Sequence, residues 1–214
     1  MCAGAPAEKW RANKEPEADR ANLERLMGCL QDARADVAVL ISTVDVYPRP
    51  VQVDESTEIA LDECHPYGRH RLELERFVAG AFPQTFILRL PGLFGPGLKK
   101  NLIYDLLHGT GYEVNVHPDS TFQFYDVAEL WRDVQLAIEA GLPLLNLATP
   151  PLRAGDVGRE CFGREWEPLP TAARAEYDMR TRLAEGAGRE GPYLRSAEEV
   201  LGGLRSFAER ERPR

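Results

Sequence analysis

Apolar residues follow two alternating patterns along the first part of the chain, one typical of helices and the other of buried strands. Over residues 18–33 they recur every three or four positions between charged residues, which predicts an amphipathic helix. Residues 37–41 form a continuous apolar run, as in a parallel-sheet strand that is covered on both faces. Residues 86–90 repeat this pattern, and residues 144–147 form a shorter third run. The sequence therefore predicts three buried strands separated by helices.

Further helices are predicted near Pro66, after residue 97, over residues 126–140 and from about residue 171 onward. Proline is favourable at a helix start because the first turn does not use its missing N–H. Ser196, with Glu199 three residues later, forms a capping box before the last helix. Strands that alternate with helices predict an α/β protein with a parallel sheet. We expect a single domain over residues 1–214, with the sheet in residues 1–150 and a mostly helical part in residues 151–214.

The composition is that of a globular protein, with 43% hydrophobic and 28% charged residues among 214. The net charge of −8 argues against a nucleic-acid or anionic-membrane partner, because binding phosphate groups needs an excess of Lys and Arg. No apolar run approaches the roughly 20 residues that span a bilayer, and the N-terminus lacks the features of a signal peptide. The four cysteines form no C-x-x-C pair, and the four histidines have no metal-ligand spacing. We expect a reduced, cytoplasmic protein without a metal site.

Two adjacent hydroxyl residues, Ser42 and Thr43, follow the first predicted strand. Ligands of open α/β sheets bind beyond the carboxyl ends of the strands, so these hydroxyls could donate hydrogen bonds to a substrate oxygen. The alternative is that they cap or turn the chain, as Ser and Thr commonly do at strand ends.

Tyr67 and Arg71 lie four residues apart in the predicted second helix and therefore on one face of it. A cation about 6 Å from the phenol, at an effective dielectric constant of about 20, favours the phenolate by roughly 3 kcal/mol, or about 2 pKa units. The spacing thus predicts a tyrosine whose pKa approaches neutrality and which can act as a general acid or base. The alternative is an ordinary exposed pair on a helix surface.

Five segments match, in order, the motifs of one known family. They read Ser-Thr-Val-Asp-Val-Tyr (42–47), Tyr-Gly-Arg-His-Arg (67–71), Arg-Leu-Pro-Gly-Leu-Phe-Gly-Pro-Gly (89–97), Phe-Tyr-Asp-Val-Ala-Glu-Leu (124–130) and Asn-Leu-Ala (146–148). The chain resembles the extended short-chain dehydrogenases/reductases of the NAD-dependent epimerase/dehydratase type. Their strand motif is Ser-Ser/Thr-x-x-Val-Tyr and their catalytic helix reads Tyr-x-x-x-Lys. The resemblance implies a partial Rossmann-like, doubly wound parallel sheet with a helical C-terminal region on the substrate side.

The resemblance also implies an NAD(P)-dependent oxidoreductase that acts on a nucleotide-linked sugar or a similar small molecule. The catalytic residues that it implies are Thr43, Tyr67 and Arg71. The residues that it implies for NAD or NADP are Tyr67, Arg71 and Pro91. The residues that it implies for the substrate are Ser42, Thr43, Gly92 and Leu93. The resemblance is compatible with a homodimer, and it does not identify the sugar.

Three departures from the family pattern limit these expectations. Arg71 stands where the family has lysine, and the two are not interchangeable, which places the contact to the nicotinamide ribose in doubt. Val44 and Asp45 replace the Asp-Glu pair of the dehydratase branch, which disfavours a dehydratase. The sequence has no Gly-x-x-Gly-x-x-Gly turn, so we expect the cofactor-binding half to be missing and the first strand to be an exposed apolar edge. The alternative function is a non-catalytic remnant, or a binding or assembly module of the same fold.

Overall fold

The computed structural model describes residue 4 and residues 8–98, 100–183 and 191–211. Residue contacts divide the chain into two compact units, each assembled from segments that are distant in sequence. The first unit comprises Met1–Arg49, Ser56–Arg89 and Val134–Leu145, and the second comprises Pro50–Glu55, Leu90–Asp133 and Asn146–Arg214. The single domain, with the sheet in residues 1–150 and a mostly helical part in residues 151–214, stays a prediction.

Helices and strands alternate along the described chain. The helices are α1 (Lys9–Lys14), α2 (Pro16–Gln31), α3 (Pro66–Ala81), α4 (Leu102–His108), α5 (Leu130–Glu139), α6 (Ala154–Val157) and α7 (Ala197–Glu211). The strands are β1 (Val37–Thr43), β2 (Val51–Val53), β3 (Gln84–Leu90), β4 (Gly92–Phe94), β5 (Thr121–Phe122), β6 (Phe124–Asp126), β7 (Leu144–Asn146), β8 (Leu152–Arg153) and β9 (Asp178–Met179). Short 3₁₀ helices cover Val44–Val46, Leu61–Glu63, Tyr112–Asn115 and Val127–Glu129, and a π-helical turn covers Gly158–Phe162.

The first unit is built on the sheet β1–β3–β7, with α2 and α3 packed against β1. The parallel sheet and its alternation with helices confirm the predicted α/β fold class. Leu23 of α2 and Leu74 and Val78 of α3 form the core beneath the sheet. Fully burying a side chain of this kind contributes about 1.5–3 kcal/mol. This packing, rather than helix propensity, holds α3 at the end of β1 where the candidate site lies.

Strand β1 is not covered on both faces, so that part of the prediction is wrong. It is one of the two outer strands of the sheet, and alternate side chains along it, Val37, Val39 and Ile41, are 39–46% exposed. Only one face of β1 packs against the helices of the first unit, where Ala38 and Leu40 join the core. The expected exposure of this apolar strand is therefore confirmed for the described residues.

The second unit contains three two-stranded sheets, with β2–β9 and β4–β6 parallel and β5–β8 antiparallel. Its core includes Phe94, Leu106, Phe124 and Leu204. The capping box before α7 is confirmed, because the Ser196 N–H donates to the Glu199 carboxylate at 2.6 Å and the Glu199 N–H donates to the Ser196 hydroxyl at 3.1 Å. No described helix has the length and apolar character needed to cross a membrane.

We expected a helix from about residue 171 onward. For residues 171–182 this prediction is wrong, because these residues are extended or irregular. The main chain there makes long-range pairs instead: Tyr177 N–H donates to the Thr121 carbonyl at 3.0 Å, and Asp178 N–H donates to the Pro50 carbonyl at 2.6 Å. Strand pairing with distant segments has overridden the local helical preference. Residues 184–190 lie outside the described part of the chain.

Candidate active site

Tyr67 lies in the first turn of α3, and its backbone is held from two sides. His65 caps the helix, since its Nδ1 accepts a hydrogen bond from the Gly68 N–H at 3.1 Å. The Tyr67 N–H, which no residue of its own helix can satisfy, donates to Oδ1 of Asn13 on α1 at 3.0 Å. Pro66 occupies the first helical position, as predicted. These two contacts fix the start of α3 independently of the side chains of Tyr67 and Thr43.

Gly68 brings α3 into direct contact with the segment that follows β1. A Cβ atom at this position would lie 2.0 Å from the carbonyl oxygen of Asp45, far inside van der Waals contact. Only glycine permits this approach, which places the first turn of α3 against the end of β1. This contact brings Tyr67 and Thr43 together.

The Tyr67 phenol is buried, and the Thr43 hydroxyl and the Arg71 guanidinium lie close enough to it to influence its pKa. Burial raises the pKa of Tyr67 above its ordinary value, the Arg71 charge lowers it in part, and the Asp45 carboxylate raises it further. The expectation that Arg71 brings this pKa towards neutrality is therefore wrong. Removal of the phenol from water outweighs the nearby cation. At neutral pH the side chain is a protonated phenol that can donate its proton.

Arg71 is inside the fold rather than on a helix surface, with 7% of the residue exposed. Its guanidinium carbon lies 4.6 Å from the centroid of the Tyr67 ring. Its Nη2 donates to Oδ1 of Asp19 on α2 at 3.1 Å, and Nδ1 of His70 lies 2.8 Å from the other oxygen of that carboxylate. The arginine thus meets the tyrosine as the spacing predicted, but its charge is shared with an aspartate that sequence reasoning missed.

Ser42 is part of a buried polar network beside the site. Its hydroxyl donates to the carboxylate of Glu75. The same carboxylate accepts hydrogen bonds from Arg89 in a bidentate ion pair, whose shortest contact is 2.6 Å. Arg89 in turn donates to the Tyr47 hydroxyl at 2.7 Å. The network joins β1, α3 and β3. Ser42 therefore holds these elements together, and its predicted contact with substrate stays a prediction.

Asp45 completes the surroundings of Thr43. Its backbone N–H donates to the Thr43 hydroxyl oxygen at 3.2 Å, and the Thr43 hydroxyl in turn has the Asp45 carboxylate as an acceptor at 3.5 Å. Its carboxylate forms an ion pair with Lys9 of α1 at 2.6 Å. Thr43 and Asp45 are both half-buried, so this end of the site is less enclosed than the Tyr67 phenol.

The remaining predicted residues, Pro91, Gly92 and Leu93, belong to the second unit. A Cβ at Gly92 would lie 2.9 Å from the Gln123 carbonyl oxygen, so glycine here permits the close pairing of β4 with β6. The Leu93 carbonyl accepts a hydrogen bond from Asn101, the N-cap of α4, at 2.8 Å. Their roles towards cofactor and substrate stay predictions.

Sequence reasoning missed three charged residues that shape the site: Asp19, Glu75 and Arg89. A signal existed for two of them. Glu75 is four residues after Arg71 on the same helix face, and Arg89 interrupts an apolar strand where a charge requires a buried partner. Nothing in the polar pattern of α2 distinguishes Asp19 from its exposed neighbours.

Several solved structures have the same fold. A UDP-N-acetylglucosamine 4-epimerase from Methanobrevibacter ruminantium, in complex with UDP-N-acetylmuramic acid, superposes with a TM-score of 0.73 at 14% identity, covering 97% of this chain and 74% of that one. A UDP-glucose 4-epimerase from Thermotoga maritima gives 0.71 at 16% identity, with 97% and 74% covered. RMD from Pseudomonas aeruginosa, complexed with NADPH, gives 0.70 at 16% identity, with 97% and 80% covered. No family model and no curated protein matches the sequence.

The chain thus has the fold of the extended short-chain dehydrogenases/reductases, and it spans about three quarters of the length of these structures. The fold that the five motifs implied is confirmed. At these identities the comparison establishes architecture, and activity has to be argued from the site.

Proposed function

We propose that the protein is an NAD(P)-dependent oxidoreductase of the epimerase/dehydratase type, acting on a nucleotide-linked sugar, and that Thr43 and Tyr67 transfer the proton. The observation that carries this proposal is the buried Tyr67 phenol beside the Thr43 hydroxyl, at the carboxyl end of a parallel strand. Ligands of this architecture bind at that end of the sheet. A cytoplasmic location and a homodimer remain predictions from the sequence.

The raised pKa of Tyr67 favours one direction of proton transfer. Because the phenol is protonated at neutral pH, it is suited to donate its proton to a carbonyl oxygen of the substrate as that carbonyl is reduced. Thr43 would donate its hydrogen bond to the same oxygen and hold it beside the phenol. The reverse oxidation would require the phenolate, which burial disfavours. Reduction of a keto-sugar is therefore the half-reaction in which this phenol can act directly at neutral pH, and it is the one to assay first.

The cofactor fits this chain only in part. The reduced cofactor, NAD(P)H, would supply the hydride when bound, and Thr43 and Tyr67 lie together as a nicotinamide end would require. Arg71 does not fit the ribose contact, because its guanidinium is buried and directed at Asp19. The same observation supports the second candidate, a non-catalytic module of this fold.

The test is turnover of the protein with NADH or NADPH and a panel of nucleotide-linked keto-sugars. We expect Tyr67→Phe to lower kcat by about 10²- to 10⁴-fold, because it removes the proton donor. The wild-type rate should be constant across neutral pH and fall only as the pH passes the raised pKa of Tyr67. Product formation followed by mass spectrometry provides the measurement.

Tyr112→Phe is the matched control, since Tyr112 is 68% exposed and lies outside the site. It should retain wild-type turnover. Unchanged turnover in Tyr67→Phe would remove the tyrosine from the mechanism. A wild-type protein that reduces no member of the panel would favour the non-catalytic module.

A further inference from the structure

Asp19 is a carboxylate in the interior of the first unit, and its partners are consecutive residues of the neighbouring helix. Nδ1 of His70 and Nη2 of Arg71 contact its two oxygens, at 2.8 and 3.1 Å respectively. A proton on Nδ1 of His70 would be donated to this carboxylate, as the Arg71 Nη2 proton is. All three residues are at most 7% exposed. A charge this deeply buried is retained only where it is paired.

The two contacts define the rotation of α3 about its axis. Consecutive residues of an α-helix point about 100° apart, so one carboxylate that holds both His70 and Arg71 admits a narrow range of helix orientations. Tyr67 lies one turn before Arg71 on the same face, and the guanidinium lies 4.6 Å from its ring centroid. Asp19 therefore acts on Tyr67 without touching it.

We propose that Asp19 is a positioning residue for the Tyr67 site, which holds Arg71 against the phenol and offsets the positive charge that Arg71 presents to it. This inference rests on the proposed function only in taking Tyr67 as the proton-transferring group. Its physical basis is that an anion beside a cation reduces the potential that the cation exerts on a third group. The carboxylate thereby weakens the effect of Arg71 on the phenol, which burial keeps protonated at neutral pH.

Other charged and titratable groups around Tyr67 come from other segments. Asp45, after β1, opposes loss of the phenol proton, and Lys9 of α1 is paired with Asp45. His65 stacks at 6.4 Å from the tyrosine ring, and burial together with Lys9 lowers its pKa, so that it is neutral at pH 7 and above. These groups are unchanged when Asp19 is replaced, which isolates its contribution.

The test is the titration of Tyr67 in Asp19→Asn, followed by NMR of protein labelled with ¹³C at the tyrosine Cζ. Asparagine has nearly the same shape, and it can still accept from Arg71 and donate to the other tautomer of His70. We expect the Tyr67 pKa to fall by about one pH unit, the order expected for removing one charge at an effective dielectric constant of about 20. The Tyr67 signal is assigned by its absence in Tyr67→Phe.

Glu24→Gln is the matched control, because Glu24 lies on the same helix and pairs with Arg20 in solvent. It should leave the Tyr67 pKa unchanged. A Tyr67 pKa that stays constant or rises in Asp19→Asn overturns the proposal.

If Asp19→Asn does not fold, the double variant Asp19→Asn/Arg71→Met decides the question. It removes both charges of the buried pair, so the proposal predicts that it folds. A double variant that also fails to fold overturns the proposal. Neither measurement requires substrate or cofactor, so a failure of the proposed function and a failure of this inference are separable.

Discussion

Glu75→Ala is expected to destabilise the protein by about 3–5 kcal/mol, because it leaves Arg89 as an uncompensated charge in the interior. Arg89 is 5% exposed, and Glu75 meets its guanidinium at 2.6 Å. The substitution also removes the acceptor of the Ser42 hydroxyl. The measurement is the free energy of unfolding from chemical denaturation, followed by circular dichroism.

Glu73→Ala is the control for this prediction. Glu73 lies on the same helix, is half-buried, and forms an ion pair with Arg20 at a separation of 4.0 Å. Ion pairs of this kind contribute at most about 1 kcal/mol. Equal effects of the two substitutions would show that the Glu75–Arg89 pair does not hold β1, α3 and β3 together.

Gly68→Ala is expected to lower both stability and turnover. The new Cβ would lie 2.0 Å from the carbonyl oxygen and 3.0 Å from the carbonyl carbon of Asp45, and backbone atoms cannot rotate away as side chains can. The first turn of α3 would have to move away from the end of β1. Overpacking of this kind costs about 1–3 kcal/mol, and a displacement near 1 Å at a reacting group costs about 100-fold in rate.

Gly80→Ala tests the same chemical change on the same helix without a steric conflict. No atom lies within 4 Å of the Cβ that would be added there, and alanine is a better helix former than glycine by about 1 kcal/mol. It should leave the free energy of unfolding unchanged or raise it. If Gly68→Ala behaves like Gly80→Ala, the close approach of α3 to Asp45 is not what positions Tyr67.

The sequence predicted the elements whose signal is local. Helix α3 begins at Pro66 as expected, because proline and the His65 cap define a start within a few residues. The extended segment 171–182 could not be predicted in this way. Its partners, including the Pro50 and Thr121 carbonyls, are far away in the chain, and no periodicity within the segment identifies them.

In the candidate site, too, features with a local signal were predictable and features that depend on distant segments were not. The four-residue spacing of Tyr67 and Arg71 was sufficient to predict their contact. The direction of the tyrosine pKa was not predictable from spacing, because it depends on burial and on Asp45, which tertiary packing brings to the site. Charge at a helix face can be read from a sequence, whereas removal of that face from water cannot.

The most direct test of the central claim is a double-mutant cycle in kcat between Thr43→Val and Tyr67→Phe, with Thr43→Ser retaining the hydroxyl as a control. If the two residues handle one proton together, their effects are strongly non-additive. The account predicts that the double variant is no slower than Tyr67→Phe alone and that Thr43→Ser keeps most of the wild-type rate. Losses that multiply in the double variant, or a Thr43→Val protein with wild-type kcat, would contradict it.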